Sequence, residues 1–245
     1  MHGSIASTDV QISMSSRLTG VGKIFWDPWA VYEQESQRPN AFVPFAVFTL
    51  TMIALLIVLS TPVMNVALSS VPEAVRAEAS GQVASMMETN RWISILSTPL
   101  LQGIRVIVIG TVIYCVGSLA GTGDTSREGD FHRALSIAAY ASFALLAEEA
   151  TNAAVVWIMG WENVRHVWDL RPVLGMHYFV EDPSSQRVAF AALQQVNPFA
   201  VMYGGLMALG IRRVFATSWA TAWLTSAAVI ACGVAFVSLV ASFRG

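Results

Sequence analysis

Between Arg133 and Trp161 the chain reads RALSIAAYASFALLAEEATNAAVVWIMGW, an apolar run with two adjacent glutamates, Glu148 and Glu149, near its middle. About 20 apolar residues suffice to cross a bilayer, so the run is long enough to span one. An acidic side chain at the centre of a span costs roughly 3 kcal/mol even on lenient insertion scales. Both carboxylates must therefore face protein, water or a partner charge, and the rest of the chain has to supply it.

Composition places the whole chain in the same class as this run. Of 245 residues, 55% are hydrophobic and 12% charged, against about 25% charged in soluble domains. The expectation is an all-α protein, a polytopic membrane helical bundle with the lipid bilayer as its first partner. A formal net charge of −2 leaves no basic patch for a phosphate backbone, which excludes a nucleic-acid partner. Cys115 and Cys232 both fall inside apolar spans and read as free core cysteines rather than a disulfide or metal pair. Thirteen of the fourteen basic residues are arginine, and with the abundant alanine this fits a GC-rich bacterial genome.

Residues 1–16 are small and polar with no basic-then-apolar order, so they read as a disordered tail and not as a signal peptide. A single membrane domain over 17–245 follows. Asp27 is a helix N-cap with Pro28 at the first helical position, and Arg38-Pro39 stops that helix. Its aromatic residues Phe25, Trp26, Trp29 and Tyr32 are expected as interfacial anchors, because amphipathic rings favour the membrane–water boundary. The first span covers 42–60 and is closed by Thr61-Pro62. Ser70 and Glu73 form a capping box for an aqueous-side amphipathic helix from Val71 to about Arg91. The second span covers 92–119, with Pro99 expected to kink it and Arg105 close to its midpoint.

Gly103, Gly110 and Gly117 recur every seven residues along that second span, a groove of small residues that lets another helix approach closely. The third span is 133–161. The connection 162–196 is polar, and Ser184 or Ser185 offers a cap for a short amphipathic helix ending near Gln195. The fourth span, 198–213, is short and carries Gly204 and Gly205, also expected at helix contacts. The fifth covers 219–243. Counting basic residues outside these spans gives seven on the N-terminal side and six on the other. The shortest connections carry basic pairs, which favours a cytoplasmic N-terminus.

Arg105, Glu148 and Glu149 form the expected intramembrane charge site. If the second and third spans are antiparallel neighbours, these residues come to similar depth. They then make either an ion pair that fixes register or a protonatable site in a proton or ion pathway. His166, Asp169, His177 and Asp182 of the long loop have spacings that match no compact metal-ligand motif. There is no P-loop, no G-x-S-x-G elbow and no H-E-x-x-H, so no catalytic residue, cofactor or metal is expected.

The segment GVGKIFWDPWAVYEQESQRPNAFVPF resembles the opening of the Ypt-interacting-protein (Yip) domain family. RALSIAAYASFALLAEE is similar to that family's third-span stretch, and VNPFAVMYGGLMALGIRRVFATSWATAW to its fourth. The resemblance covers most of residues 18–243 and implies a five-span membrane protein with a cytoplasmic N-terminus, here in a bacterial inner membrane. It implies a non-enzymatic scaffold or accessory subunit that binds other membrane proteins or itself, an ABC-type exporter among the partner classes. Arg105, Glu148 and Glu149 map onto no family motif. A small transporter using an Arg–Glu site is the alternative from the residues themselves.

Overall fold

The computed structural model describes residues 14–69, 80–120, 127–160, 163–164, 169, 175–180 and 185–243, and among these every regular element is a helix. Most of the expected tail, residues 1–13, lies outside the described residues, and α1, Met14–Lys23, begins directly after it. α2, Pro28–Gln37, starts as its local chemistry requires: the Asp27 carboxylate accepts the Ala30 N–H at 3.1 Å, and Pro28 stands where no backbone donor is needed.

α3 runs Phe42–Ser69, past the expected stop at Pro62. A proline removes one backbone bond, yet membrane helices tolerate it where hydroxyls and neighbours take up the freed groups. Close by, Ser60 donates to the Ile57 carbonyl at 2.6 Å. α4 is one continuous helix, Ser80–Ala120, of 41 residues. Of the amphipathic helix expected over 71–91, residues 71–79 lie outside the described residues, and 80–91 belong to α4. No glycine or proline stands between Gly81 and Trp92, and Ser85 and Thr89 bond back to the Gln82 and Ser85 carbonyls, so the turns continue into the span.

The third apolar run splits. α5 covers Arg127–Ala141 and α6 covers Phe143–Met159, meeting at the fully buried Ser142. The Ser142 hydroxyl donates to the Ala138 carbonyl at 2.8 Å, a back-bond that bends helices. Phe143 is then fixed edge-on between Phe25 and Phe48, ring centroids 6.4 and 6.0 Å away. A short 3-10 turn, Met176–Phe179, and α7, Arg187–Gln194, punctuate the long connection. Gln186 stands at the cap position of α7 without a side-chain cap; of the two expected caps, Ser184 lies outside the described residues and Ser185 stands one residue before that position. α8, Pro198–Phe215, opens on Asn197, whose side chain accepts the Ala200 N–H at 2.8 Å. α9, Trp219–Phe243, follows a turn in which Ala216 adopts φ 51°.

The centre of the bundle is made by α5 and α8. Ala134, Ile137, Ala138, Met207, Ala208 and Ile211 are all fully buried. α2 packs on α8, α4 on α5, α9 on α8 and α7, and α3 on α4 and α6. Among the described residues three helices are long and apolar enough to cross a membrane: Phe42–Ser60 of α3, Glu88–Leu119 of α4, and all of α9. Five were expected. The other two runs are shorter units in the structure, α5 and α6 separated at Ser142 and α8 carrying Arg212 and Arg213 in its last turn.

Candidate functional site

Arg105 projects from α4 onto α8, its guanidinium carbon 5.6 Å from the centre of the Tyr203 ring. Tyr203 is buried. This is a cation held over a neutral aromatic face, an interaction of about 0.5–2 kcal/mol, below the roughly 3 kcal/mol that an arginine costs at the centre of a span. The ion pair expected with Glu148 or Glu149 is not formed: among the described residues Arg105 meets the Tyr203 ring.

Glu148 instead accepts a hydrogen bond at 2.9 Å from the side-chain amide of Asn197. That amide also reaches the Gln194 carbonyl at 3.2 Å. Arg105 and Glu148 therefore both meet α8, at residues six apart, a separation of about 9 Å along the axis. The reason lies in which helices pack. α4 runs against α5, whereas the half of the third run that bears the glutamates, α6, packs on α8 and α3. Glu149 is half-buried next along α6, and Asn152, one turn on from Glu148, is buried.

A second polar cluster forms where α2 enters the bundle. Glu35 is 4% exposed, its Oε2 accepting the Asn40 N–H at 2.7 Å and its Oε1 the Tyr140 hydroxyl at 3.5 Å. Tyr32 stands edge-on to Tyr140, centroids 6.2 Å apart. Burial, with Tyr140, Tyr203 and Glu35 nearby, holds the Tyr32 phenol well above its usual range. Val31, Tyr32 and Glu35 share one face of α2, and that periodicity is the signal that could have found them.

Tyr32 is accordingly no interfacial anchor. Its ring is fully buried because α2 lies on α8 with that face inward. The other three anchors are on the outside, Phe25 at 48%, Trp26 at 71% and Trp29 at 43% exposure. Arg213 binds α2 to the end of α8, ion-paired with Glu33 and 4.8 Å over the Trp29 ring. Arg212 closes the next turn, donating to the Thr217 carbonyl at 3.0 Å and lying 4.9 Å over Trp219.

The expected packing glycines are occupied from within the chain. A Cβ on Gly103 would stand 3.7 Å from Phe45 of α3, on Gly110 2.7 Å from Leu135 of α5, and on Gly117 2.8 Å from Phe215 of α8. On α8, Gly204 faces Ile230 and Gly205 faces Trp223, both of α9. Cys115 and Cys232 are exposed on α4 and α9 rather than in the core. Among the described residues no group of three His, Cys, Asp or Glu is placed to hold a metal ion.

Compared with models of known families, with curated proteins and with solved structures, this chain matches none of them. Among the described residues, fold and site together define an all-helical protein with three helices suited to a membrane and Arg105 near the middle of one of them.

Proposed function

We propose that the chain is a non-enzymatic membrane scaffold or accessory subunit that works through contacts with other membrane proteins. In this reading it is a five-span, Yip-type protein of a bacterial inner membrane with a cytoplasmic N-terminus, and export machinery of the ABC type is the partner class the resemblance points to. One observation supports it most. The polar clusters and the packing glycines are taken up inside the bundle, while the three apolar helices keep broad outer faces, with Leu50 at 67%, Leu96 at 74% and Leu224 at 71% exposure. A bundle whose own packing is complete has these faces available for lipid and for neighbouring helices. The test is affinity purification of the full chain from native membranes in mild detergent, with mass spectrometry of what accompanies it. A stoichiometric companion or a defined homo-oligomer is expected. Repeated recovery of the chain alone as a monomer would sink the reading.

A further inference from the structure

We infer that Arg105 is the docking point for a transmembrane helix of another protein, one that carries an aspartate or glutamate near the middle of the bilayer. The inference rests on the scaffold reading above and names the chemistry of the partner.

Depth is the first argument. Arg105 follows Arg91 by fourteen residues on α4, about 21 Å. Tyr203, beneath its guanidinium, precedes Arg212 by nine residues on α8, about 14 Å. The two charged levels bracket a thickness comparable to the roughly 30 Å hydrocarbon core, with Arg105 well inside it. A long basic side chain near the end of a span can snorkel to the headgroups. Arg105 stands away from both of these levels, and the nearer polar level, Asn197 with Glu148 about 9 Å along α8 from Tyr203, is bonded within itself.

The second argument is charge. Among the described residues Arg105 has the Tyr203 ring as partner and no carboxylate. Ionisable residues inside membranes are almost always paired or turned to water, and a guanidinium presents five donors in a planar fork suited to a carboxylate. An acidic side chain on an approaching helix supplies the complement that the described residues of this chain do not.

Access is the third. Arg105 is half-buried, and its neighbours on the outer surface of α4 are Leu101, Ile104 and Val108, at 59, 50 and 56% exposure. The opposite side is closed, since Phe45 of α3 covers Gly103. A helix arriving from the bilayer can lie along Leu101 and Val108 and meet the guanidinium from that side. A second copy of this chain fits less well. An isologous contact centred here would bring two guanidinium groups together, and Glu148 lies at the level of the α8 N-terminus, already bonded to Asn197.

The experiment places a photo-crosslinking amino acid at Val108 of the full chain in native membranes and identifies the captured peptide. The expected product joins Val108 to an apolar segment of another protein that contains Asp or Glu. Arg105→Gln should cut its yield at least tenfold, and Arg105→Lys, which keeps the charge, should retain most of it. Replacing the captured acid by its amide should match Arg105→Gln, and exchanging the two charges should restore capture. A crosslink only to lipid or to a second copy overturns the inference. If Arg105→Gln leaves capture intact, the inference falls while the scaffold reading stands. If no protein partner is recovered by crosslinking or by purification, both fall.

Discussion

Asn197 ties the first turn of α8 to Glu148: its side-chain oxygen accepts the Ala200 N–H at 2.8 Å while its amide donates to the glutamate at 2.9 Å. A half-buried carboxylate in an apolar run is thereby met by a donor and by the positive end of a helix. Asn197→Ala removes both contacts, about 1 kcal/mol for the cap and about 1.5–3 kcal/mol for a hydrogen bond to a charged group. Asn197→Asp keeps the cap but sets two carboxylates face to face. Adding Glu148→Gln to Asn197→Asp restores a donor–acceptor pair and should recover most of the loss. Thermal unfolding of the four proteins in detergent checks the order. An Asn197→Asp protein as stable as the parent would show that the Glu148 contact contributes nothing.

Two glycines, one on α8 and one on α9, should respond oppositely to the same change. A Cβ on Gly210 would stand 2.8 Å from Ile137 and 3.0 Å from Tyr32, where α2, α5 and α8 cross. Overpacking of that kind costs typically about 1–3 kcal/mol, so Gly210→Ala should lower the melting temperature clearly. Gly233 on α9 has nothing within 4 Å, and Gly233→Ala should be neutral or slightly stabilising, since alanine is the better helix former. Equal effects at both positions would mean that the three-helix crossing is wrongly placed.

Local signals carried most of the element boundaries. Asp27-Pro28 and Asn197-Pro198 start helices because a capping side chain and a residue without an N–H both suit the first turn, and α9 coincides with its apolar run. Long-range pairing was not legible in the same way. Ser142 interrupts the helix for one residue that keeps helical dihedrals, φ −60° and ψ −18°, inside a run where one serine has no distinct signature. Arg105 and the glutamates looked like partners only because neighbouring spans were assumed to pack along their whole lengths, whereas α4 packs on α5 and the half that bears the glutamates packs on α8 and α3. Position near a boundary suggested that Tyr32 faces outward, but the helix face decides, and Val31, Tyr32 and Glu35 all turn inward.

The Tyr32 hydroxyl has no hydrogen-bond partner although the residue is fully buried. Leaving a buried hydroxyl unpaired costs about 1–3 kcal/mol, whereas the ring fills space against Tyr140 and Gly210. Tyr32→Phe should therefore be neutral or stabilising, and Tyr32→Ala should cost about 3–5 kcal/mol through the cavity it leaves. Chemical or thermal denaturation of both variants separates the two contributions. A clear loss on Tyr32→Phe would contradict the unpaired hydroxyl.

His177 makes the 3-10 turn of the long connection sensitive to pH. Its ring stacks on Tyr178 at 4.5 Å and meets Phe190 of α7 edge-on at 5.2 Å, with Gly175 packed against Nδ1. That nitrogen has no hydrogen-bond partner, and burial lowers the imidazole below its usual 6.5. The native turn thus prefers the neutral ring. Above pH 6.5 the folded and unfolded forms are both uncharged and the turn keeps its full stability. As pH falls below that value the unfolded form binds the proton more readily, and stability is lost until the pH drops below the lowered native value. Protection factors of residues 176–180, with the intrinsic pH dependence of amide exchange divided out, should fall between pH 7.5 and 5.5 more than those of the α5–α8 core. His177→Phe should abolish the difference while keeping the stack on Phe190, and an unchanged pH response in that variant would assign the effect to another group.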